Sequence, residues 1–337
     1  MNLTRFPRLR PCDPAAEWLK LKANLGLAEN TLLAYARGLD DFFSHCEALS
    51  IDPLKVGRAE VAAYVQRLLE PQGNAGRGLS NSTAQQRLTS LRLFFDFLVE
   101  EGAIAKNPVG RGRYAATGRG AIRGFLPRYR RLPWVPSEIE WGDLITCVRS
   151  ESVRNRLMFL MAYDCALRRE ELCSIRTDDL DPALRTLRIR AETTKTRYAR
   201  VLPFSQQTAA LMQQYLQERR RLTRERGPLF VSVSNRNTAQ PISIWTWSKV
   251  ALGIAQRAAV PRFSTHTLRH LCLTDLARAG WEVHEIAEFA GHRSVQSTLL
   301  YIHVSGRELA AKLASSMSVL HAARVAQAAE LNLEAKR

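Results

Sequence analysis

Tyr301 stands nine positions after His292, in Gly291-His292-Arg293-Ser294-Val295-Gln296-Ser297-Thr298-Leu299-Leu300-Tyr301, and His266-Thr267-Leu268-Arg269-His270 lies shortly upstream. These types can do chemistry together: a phenol can attack an electrophile, imidazoles can move protons, and a guanidinium can hold a phosphate through paired hydrogen bonds. Singly, each has a plainer explanation, because tyrosines pack and histidines often only satisfy hydrogen bonds. The His266/His270 spacing matches a zinc-protease H-x-x-x-H, but Thr267 occupies the position where that mechanism needs Glu. Gly73, Gly76 and Gly78 are followed by no Gly-Lys-Ser/Thr, and there is no Gly-x-Ser-x-Gly. No metal or other cofactor is therefore expected. His270, one turn after His266, reads as a core or supporting residue rather than a reacting one.

Helices must position these groups. Ser264-Thr265 can cap a helix running to Ala279, which places His266 and Arg269 on one face and Leu268, Cys272 and Leu276 toward the core. Val283, Ile286, Ala287 and Ala290 form a second helical stripe that stops at Gly291, so His292 should emerge at an exposed corner. Upstream, a second domain starts near Ser137, which can cap a helix whose N-terminal dipole Glu138 and Glu140 favour, and the segment from Arg154 to Ile175 reads as largely apolar and helical. Leu187 and Ile189 alternate with Arg188 and Arg190, and the chain returns to Val201-Leu202-Pro203, which predicts a hairpin with Lys195 near its turn. Residues 14 to about 105 read as short amphipathic helices. One starts at a cap on Asn30 and carries Leu32, Tyr35, Leu39 and Phe42; another follows Asn81-Ser82 and carries Leu88, Leu91, Phe95 and Leu98.

The chain has 337 residues, enough for two domains, and 49 Lys plus Arg against 32 Asp plus Glu give a net charge of +17. Such a charge points to a polyanionic partner, with DNA, RNA and an anionic membrane all open on charge alone. No apolar run approaches the ~20 residues of a membrane span, no hydrophobic leader precedes the first domain, and the cysteines form no C-x-x-C pair, so a cytoplasmic protein without disulfides is expected. Between the two helical regions lies a stretch with Arg111, Arg113, Arg119, Arg123, Arg128, Arg130 and Arg131 and no acidic residue. It reads as an open, self-repelling linker able to lie along phosphates.

Taken together, the pattern resembles the tyrosine recombinases, or phage integrase family, over almost the whole chain. Cys165-Ala166-Leu167-Arg168-Arg169-Glu170-Glu171-Leu172 looks like the family's first box, with Arg168 as its arginine. His266 and Arg269 match the second box, Gly291-His292 with Tyr301 match the later histidine and the nucleophile, and Lys195 matches the hairpin lysine. Asn30-Thr31-Leu32 with Tyr35, and Leu91 to Pro108, resemble the core-binding domain. Departures are Cys165-Ala166 in place of the common Thr-Gly, and Thr194 and Thr196 in place of glycines flanking the lysine.

The resemblance implies a mainly α fold of the DNA breaking-rejoining type. A helical core-binding domain and a mostly helical catalytic domain with a small antiparallel β-sheet would form a two-domain clamp. The expected divisions are an N-terminal tail over 1–13, the core-binding domain over 14–108, the basic linker over 109–134, the catalytic domain over 135–305 and a C-terminal helix over 306–337, packed in cis or against a neighbouring protomer. Arg168 and Arg269 would neutralise nonbridging oxygens, and Tyr301 would attack phosphorus to leave a 3′-phosphotyrosine and a free 5′-hydroxyl. His266 would serve as base, Lys195 as acid to the leaving oxygen, and His292 would bind the phosphate or orient the tyrosine.

The implied partner is double-stranded DNA held by a homotetramer across two sites, with accessory DNA-bending or directionality proteins and a nucleoid location. With no evident further domain before residue 14, a compact integrase or transposon-encoded recombinase is expected. A type IB topoisomerase and a DNA-binding regulator without catalysis are the alternatives. The target sequence, and whether the event is integration, excision or transposition, stay open.

Overall fold

Leu32, Leu39, Phe42, Phe43 and Cys46 recur at helical spacing and are all buried on one face of a 20-residue helix. The computed structural model that places them describes residues 5–9, 13–70, 78–110, 124–127, 132–194, 196–301, 313–316, 322 and 324. Arg111, Arg113, Arg119, Arg123, Arg128, Arg130, Arg131 and Lys195 lie outside the described residues, as does most of the expected C-terminal helix over 306–337. By packing, the chain falls into two units, Met1–Arg131 and Leu132–Arg337. No helix among the described residues is long and apolar enough to cross a membrane.

The first unit contains α1 (Asp13–Asn24), α2 (Glu29–Ala48), α3 (Arg58–Leu69) and α4 (Asn81–Glu100). α2 packs on α4, and Trp18 of α1 stacks on Tyr35. Their close approach needs Gly38, because a Cβ there would lie 2.2 Å from Ser90 Oγ. Asp41 of α2 ties three helices together, accepting from Tyr64 Oη at 2.7 Å, Arg67 at 2.8 Å and Arg87 at 2.6 Å. α2 begins two residues earlier than expected, with Ala28 rather than Asn30 at its N-cap and no side-chain cap, and α4 is capped by Ser80. The basic linker is not open throughout: Val109 and Leu126 are buried in this unit, and Gln85 donates to the Leu126 carbonyl at 2.9 Å. The apolar Phe125-Leu126-Pro127 docks because its burial outweighs the repulsion among flanking arginines.

The second unit contains α5 (Glu138–Arg149), α6 (Val153–Asp164), α7 (Arg169–Cys173), α8 (Gln206–Leu222), α9 (Ile244–Arg257), α10 (Thr265–Arg278) and α11 (Val283–Ala290). Between α7 and α8 lie β1 (Leu180–Asp181), β2 (Thr186–Ile189) and β3 (Arg200–Pro203) in an antiparallel sheet of order β1-β2-β3. The expected hairpin is present, with Leu187 paired to Leu202 and both buried. Ser137 caps α5, as expected, and does so through a reciprocal bond pair with Glu140. α6 crosses the centre and packs on α8 and α10.

The apolar stretch from Arg154 to Ile175 is not one helix. α6 stops at Asp164, where Ala166 N–H donates to Tyr163 O at 3.0 Å and Leu167 N–H to Ala162 O at 3.1 Å. That is a Schellman closure with Ala166 in the left-handed region at φ 46°. Ala166 stands where the resemblance leads one to expect Gly, the residue this conformation favours. The reversal lets α7 start afresh, with Arg168 at its N-cap.

Candidate active site

α11 ends in a second Schellman closure: His292 N–H donates to Ala287 O at 2.9 Å and Gly291 takes φ 63°. The two helix ends offer their free carbonyls to two arginines. Arg269 of α10 donates to Ala166 O at 2.5 Å and to Ala290 O at 2.7 Å, and Arg168 donates to Gly291 O at 3.3 Å. Two guanidiniums from distant segments therefore converge because the chain reverses at Ala166 and Gly291. Burial foremost, then the charge of Arg168, lowers the Arg269 pKa to about 10, so it stays protonated at neutral pH.

Beneath them lies Glu171, only 1% exposed, which joins Arg168 to Arg200. It accepts from Arg168 Nη1 at 2.8 Å and from the Arg168 backbone N–H at 2.9 Å. It also accepts two bonds from Arg200, at 3.2 and 2.9 Å. Burial raises its pKa, but the Arg200 hydrogen bonds and charge and then Arg168 outweigh that and bring it to about 2. Arg200, with a side chain 3% exposed on β3, also donates to Phe289 O at 3.0 Å. One buried carboxylate thus locks the hairpin, the α7 start and the α11 end together. The sequence marks neither residue for this role, since Arg200 is one arginine among many; only the Arg-x-x-Glu spacing at Arg168 hints at Glu171.

A Cβ on Gly291 would lie 2.8 Å from Arg200 Nη1. Gly291→Ala is therefore expected to lower the stability of this unit by about 1 to 3 kcal/mol, from left-handed strain plus displacement of a buried arginine. A urea midpoint unchanged from wild type would contradict this.

His292 is half-buried rather than at an exposed corner, because Thr298 and Arg269 close over it. Arg269 donates to Nε2 at 3.0 Å, so the ring proton sits on Nδ1 and is given to Thr298 Oγ1 at 2.8 Å. That arrangement needs a neutral imidazole. Burial, then the charges of Arg269, Arg168 and Arg200, hold its pKa near 4.

Tyr301 lies beside it, its ring nearly parallel to His292 at 12° and 6.2 Å. The ring is buried, 8% exposed, against Ala166, Cys272, Leu273, Ile286 and Ala290, while its hydroxyl meets His270 Nδ1 at 2.8 Å. Burial raises the phenol pKa against the pull of Arg269 and Arg168, so the resting hydroxyl keeps its proton.

Of the residues the sequence singled out, Arg168, Arg269, His292 and Tyr301 are brought together. His266, on the first turn of α10, is an exposed residue whose imidazole is nonetheless partly desolvated; that lost hydration, with Arg169, Arg269 and Arg168, lowers its pKa against Glu170. The imidazole bonded to the phenol is that of His270, not the expected base His266. The two rings share nearly the same face of α10, and the step of four residues carries His270 roughly 6 Å along the axis to the chain segment after α11, a neighbour that spacing alone cannot assign. Lys195 falls outside the described residues, between Thr194, which is buried, and Thr196.

The phage integrase family profile matches residues 139–308, half of the chain, and the phage integrase N-terminal SAM-like domain profile matches residues 16–102. The chain belongs to the phage integrase family. This integrase-family chain is 26% identical over 302 residues to the tyrosine recombinase XerC of Thermodesulfovibrio yellowstonii, covering 86% of this chain and 90% of that protein. It is 27% identical over 285 residues to a tyrosine recombinase of Thermosipho africanus, covering 83% and 91% respectively. Among solved structures, its fold resembles that of the Tn1549 transposon integrase in complex with transposon right-end DNA. The TM-score is 0.68 at 17% identity, over 92% of this chain and 98% of that one. The XerH site-specific recombinase bound to its difH substrate matches with a TM-score of 0.61 at 16% identity, over 85% and 79%. At these identities the likeness establishes the integrase-family fold.

Proposed function

We propose that the chain is a site-specific DNA recombinase that cleaves and rejoins DNA strands through a 3′-phosphotyrosine on Tyr301. The observation that carries this reading is the convergence of Arg168, Arg269, His292 and Tyr301 on one spot, held by the buried Glu171–Arg200 pair. A phosphodiester resists nucleophiles because its oxygens are negative, and two fixed guanidiniums neutralise that charge without reorganising during the reaction. Membership of the family, and relatives named tyrosine recombinases, favour this reading over a topoisomerase or a regulator without catalysis.

In the proposed mechanism Arg168 and Arg269 bind nonbridging oxygens, with His266 supporting them from the solvent edge. His292, its proton fixed toward Thr298, sets the orientation of Arg269 and stacks beside the tyrosine ring. Lys195 protonates the leaving 5′-oxygen. The phosphotyrosine conserves the energy of the broken phosphodiester, so the 5′-hydroxyl of a second strand can reverse the step and join it. The partner is double-stranded DNA, in keeping with the net charge of +17 and with the DNA-bound Tn1549 and XerH relatives. A tetramer across two sites, clamp-like closure of a core-binding domain (14–108) and a catalytic domain (135–305), a partner-contacting segment over 306–337 and accessory proteins complete the proposal.

The test uses a nicked duplex carrying the binding site, located by footprinting DNA beside the gene. A protein–DNA adduct resistant to detergent, and recombinant products from two labelled duplexes, are the expected results; supercoil relaxation without recombinants would point to a topoisomerase. Replacing Arg269 with Ala is expected to slow adduct formation by roughly 10² to 10³-fold, the scale of losing one preorganised charge donor, with little change in DNA binding. Replacing Arg111, Arg113 and Arg119 together with Ala should reduce the slope of log K against log salt by about 2 to 3, at unchanged cleavage of bound DNA. An unaltered slope would remove the linker from the phosphate contacts.

A further inference from the structure

Tyrosine hydroxyls buried in apolar surroundings need a hydrogen-bond partner, so the His270–Tyr301 bond could be a matter of satisfaction alone. Three observations take it further. The bond falls on the oxygen that the proposed function makes the nucleophile, at 2.8 Å. Burial keeps the phenol protonated, while burial, then His266 and Arg269, holds the His270 imidazole neutral with a pKa of about 4, so in the Nε2–H tautomer Nδ1 accepts the phenolic hydrogen. Finally, His266 makes no hydrogen bond to Tyr301 among the described residues, while His292 Nε2 is committed to Arg269 and its Nδ1 to Thr298. The groups facing the His270 ring are thus His266 and Arg269 from its own helix and Tyr301 from the segment after α11.

Resting on the tyrosine-nucleophile reading, we propose that His270 is the general base of strand cleavage, taking the Tyr301 hydroxyl proton on Nδ1 as the phenol attacks phosphorus. Tyr301 Oη forms its bond to phosphorus as the bond from phosphorus to the 5′-oxygen breaks. The electron pair of that bond leaves with the 5′-oxygen, which takes a proton from the hairpin lysine, Lys195; the phenolic proton passes to His270. On rejoining, the imidazolium returns that proton to Oη. Transfer in the resting site is strongly uphill, because the phenol sits above its ordinary range and the imidazole below its own. It becomes favourable only in concert with attack, when the forming phosphate ester makes the phenol acidic and the phosphate's charge stabilises the imidazolium. The site therefore holds its nucleophile inert until DNA is bound.

The experiment measures single-turnover adduct formation by His270→Ala and His270→Asn on two nicked duplexes, one normal and one with sulfur replacing the bridging 5′-oxygen. A sulfur leaving group needs no proton, so it restores variants defective in the acid but not those defective in the base. Asn keeps an acceptor near the Nδ1 position, guarding against a merely structural defect, yet cannot carry the proton. Both variants are expected to bind DNA normally and to form adduct roughly 10² to 10³-fold slower than wild type on either duplex. Wild-type rates in His270→Asn would reduce the bond to positioning, and recovery on the sulfur duplex would move His270 to the leaving-group side; either result overturns the proposal. If His270→Ala fails to fold, His270→Asn decides alone. Tyr301→Phe in the same assay keeps the two readings separate, because an adduct there would sink the nucleophile assignment itself, whatever His270 does.

Discussion

Tyr301→Phe is expected to bind DNA with wild-type affinity and to form covalent adduct at least roughly 10⁴-fold more slowly, the scale on which removing a nucleophile acts. The fold should survive, because the ring packs against Cys272, Leu273, Ile286 and Ala290, contacts that phenylalanine keeps. What is lost is one hydrogen bond to His270, worth about 1 kcal/mol. Stability measured by urea denaturation and affinity measured by gel shift should therefore stay near wild type while the detergent-resistant band disappears. A residual adduct would assign the attack to another residue, and unfolding of the variant would mean the hydroxyl serves the core.

The second large effect concerns Glu171. Glu171→Ala leaves Arg200 buried without its counter-charge, and removing one partner of a buried pair destabilises by about 3 to 5 kcal/mol. Cleavage should fall as well, since Arg168 loses the acceptor that fixes its guanidinium. The two consequences separate in the double variant Glu171→Leu/Arg200→Met, in which the fully buried charge of Arg200 is no longer stranded and only the partly exposed Arg168 loses its partner. There stability should return to within about 1 to 2 kcal/mol of wild type, while cleavage stays slow because Arg168 remains unanchored. Recovery of cleavage together with stability would show that the pair serves only to hold the fold.

The acid limb of the stability curve gives a further reading of the same residue. A carboxyl whose folded pKa lies below its unfolded value contributes stability at pH above the unfolded value and loses it as pH falls through the folded one. For Glu171 that window runs from about 4.5 down to about 2 and corresponds to roughly 3 kcal/mol. Glu171→Gln should flatten the pH dependence in that interval. A wild-type acid limb in this variant would locate acid unfolding elsewhere.

Much of this was legible in the sequence because it depends on local periodicity and short motifs. The faces of α2 and α4, the caps at Ser137 and Ser264, the stop at Gly291 and the β2–β3 pairing all follow from residue types within a few positions of one another. The boxes around Arg168, His266–Arg269 and His292–Tyr301 were visible for the same reason. Less legible was the break at Ala166, where alanine holds a left-handed turn that glycine would have advertised. The docking of Leu126 within an arginine-rich stretch was hidden too, because repulsion dominates any reading that counts charges alone.

By itself, then, the sequence determined which side chains are available for phosphoryl transfer, the helical elements that carry them and the positive charge that draws a polyanion. Only the tertiary structure decided their partners. It made Arg200 and Glu171 the buried pair beneath the site, turned His292 inward onto Arg269 and Thr298, and gave the phenol of Tyr301 to His270. The physical reason is that periodicity encodes which face of a helix is apolar, whereas the partner of a buried polar group depends on which other segments arrive within about 3 Å of it. Here those segments are separated by up to 123 residues of chain, as Arg168 is from Gly291.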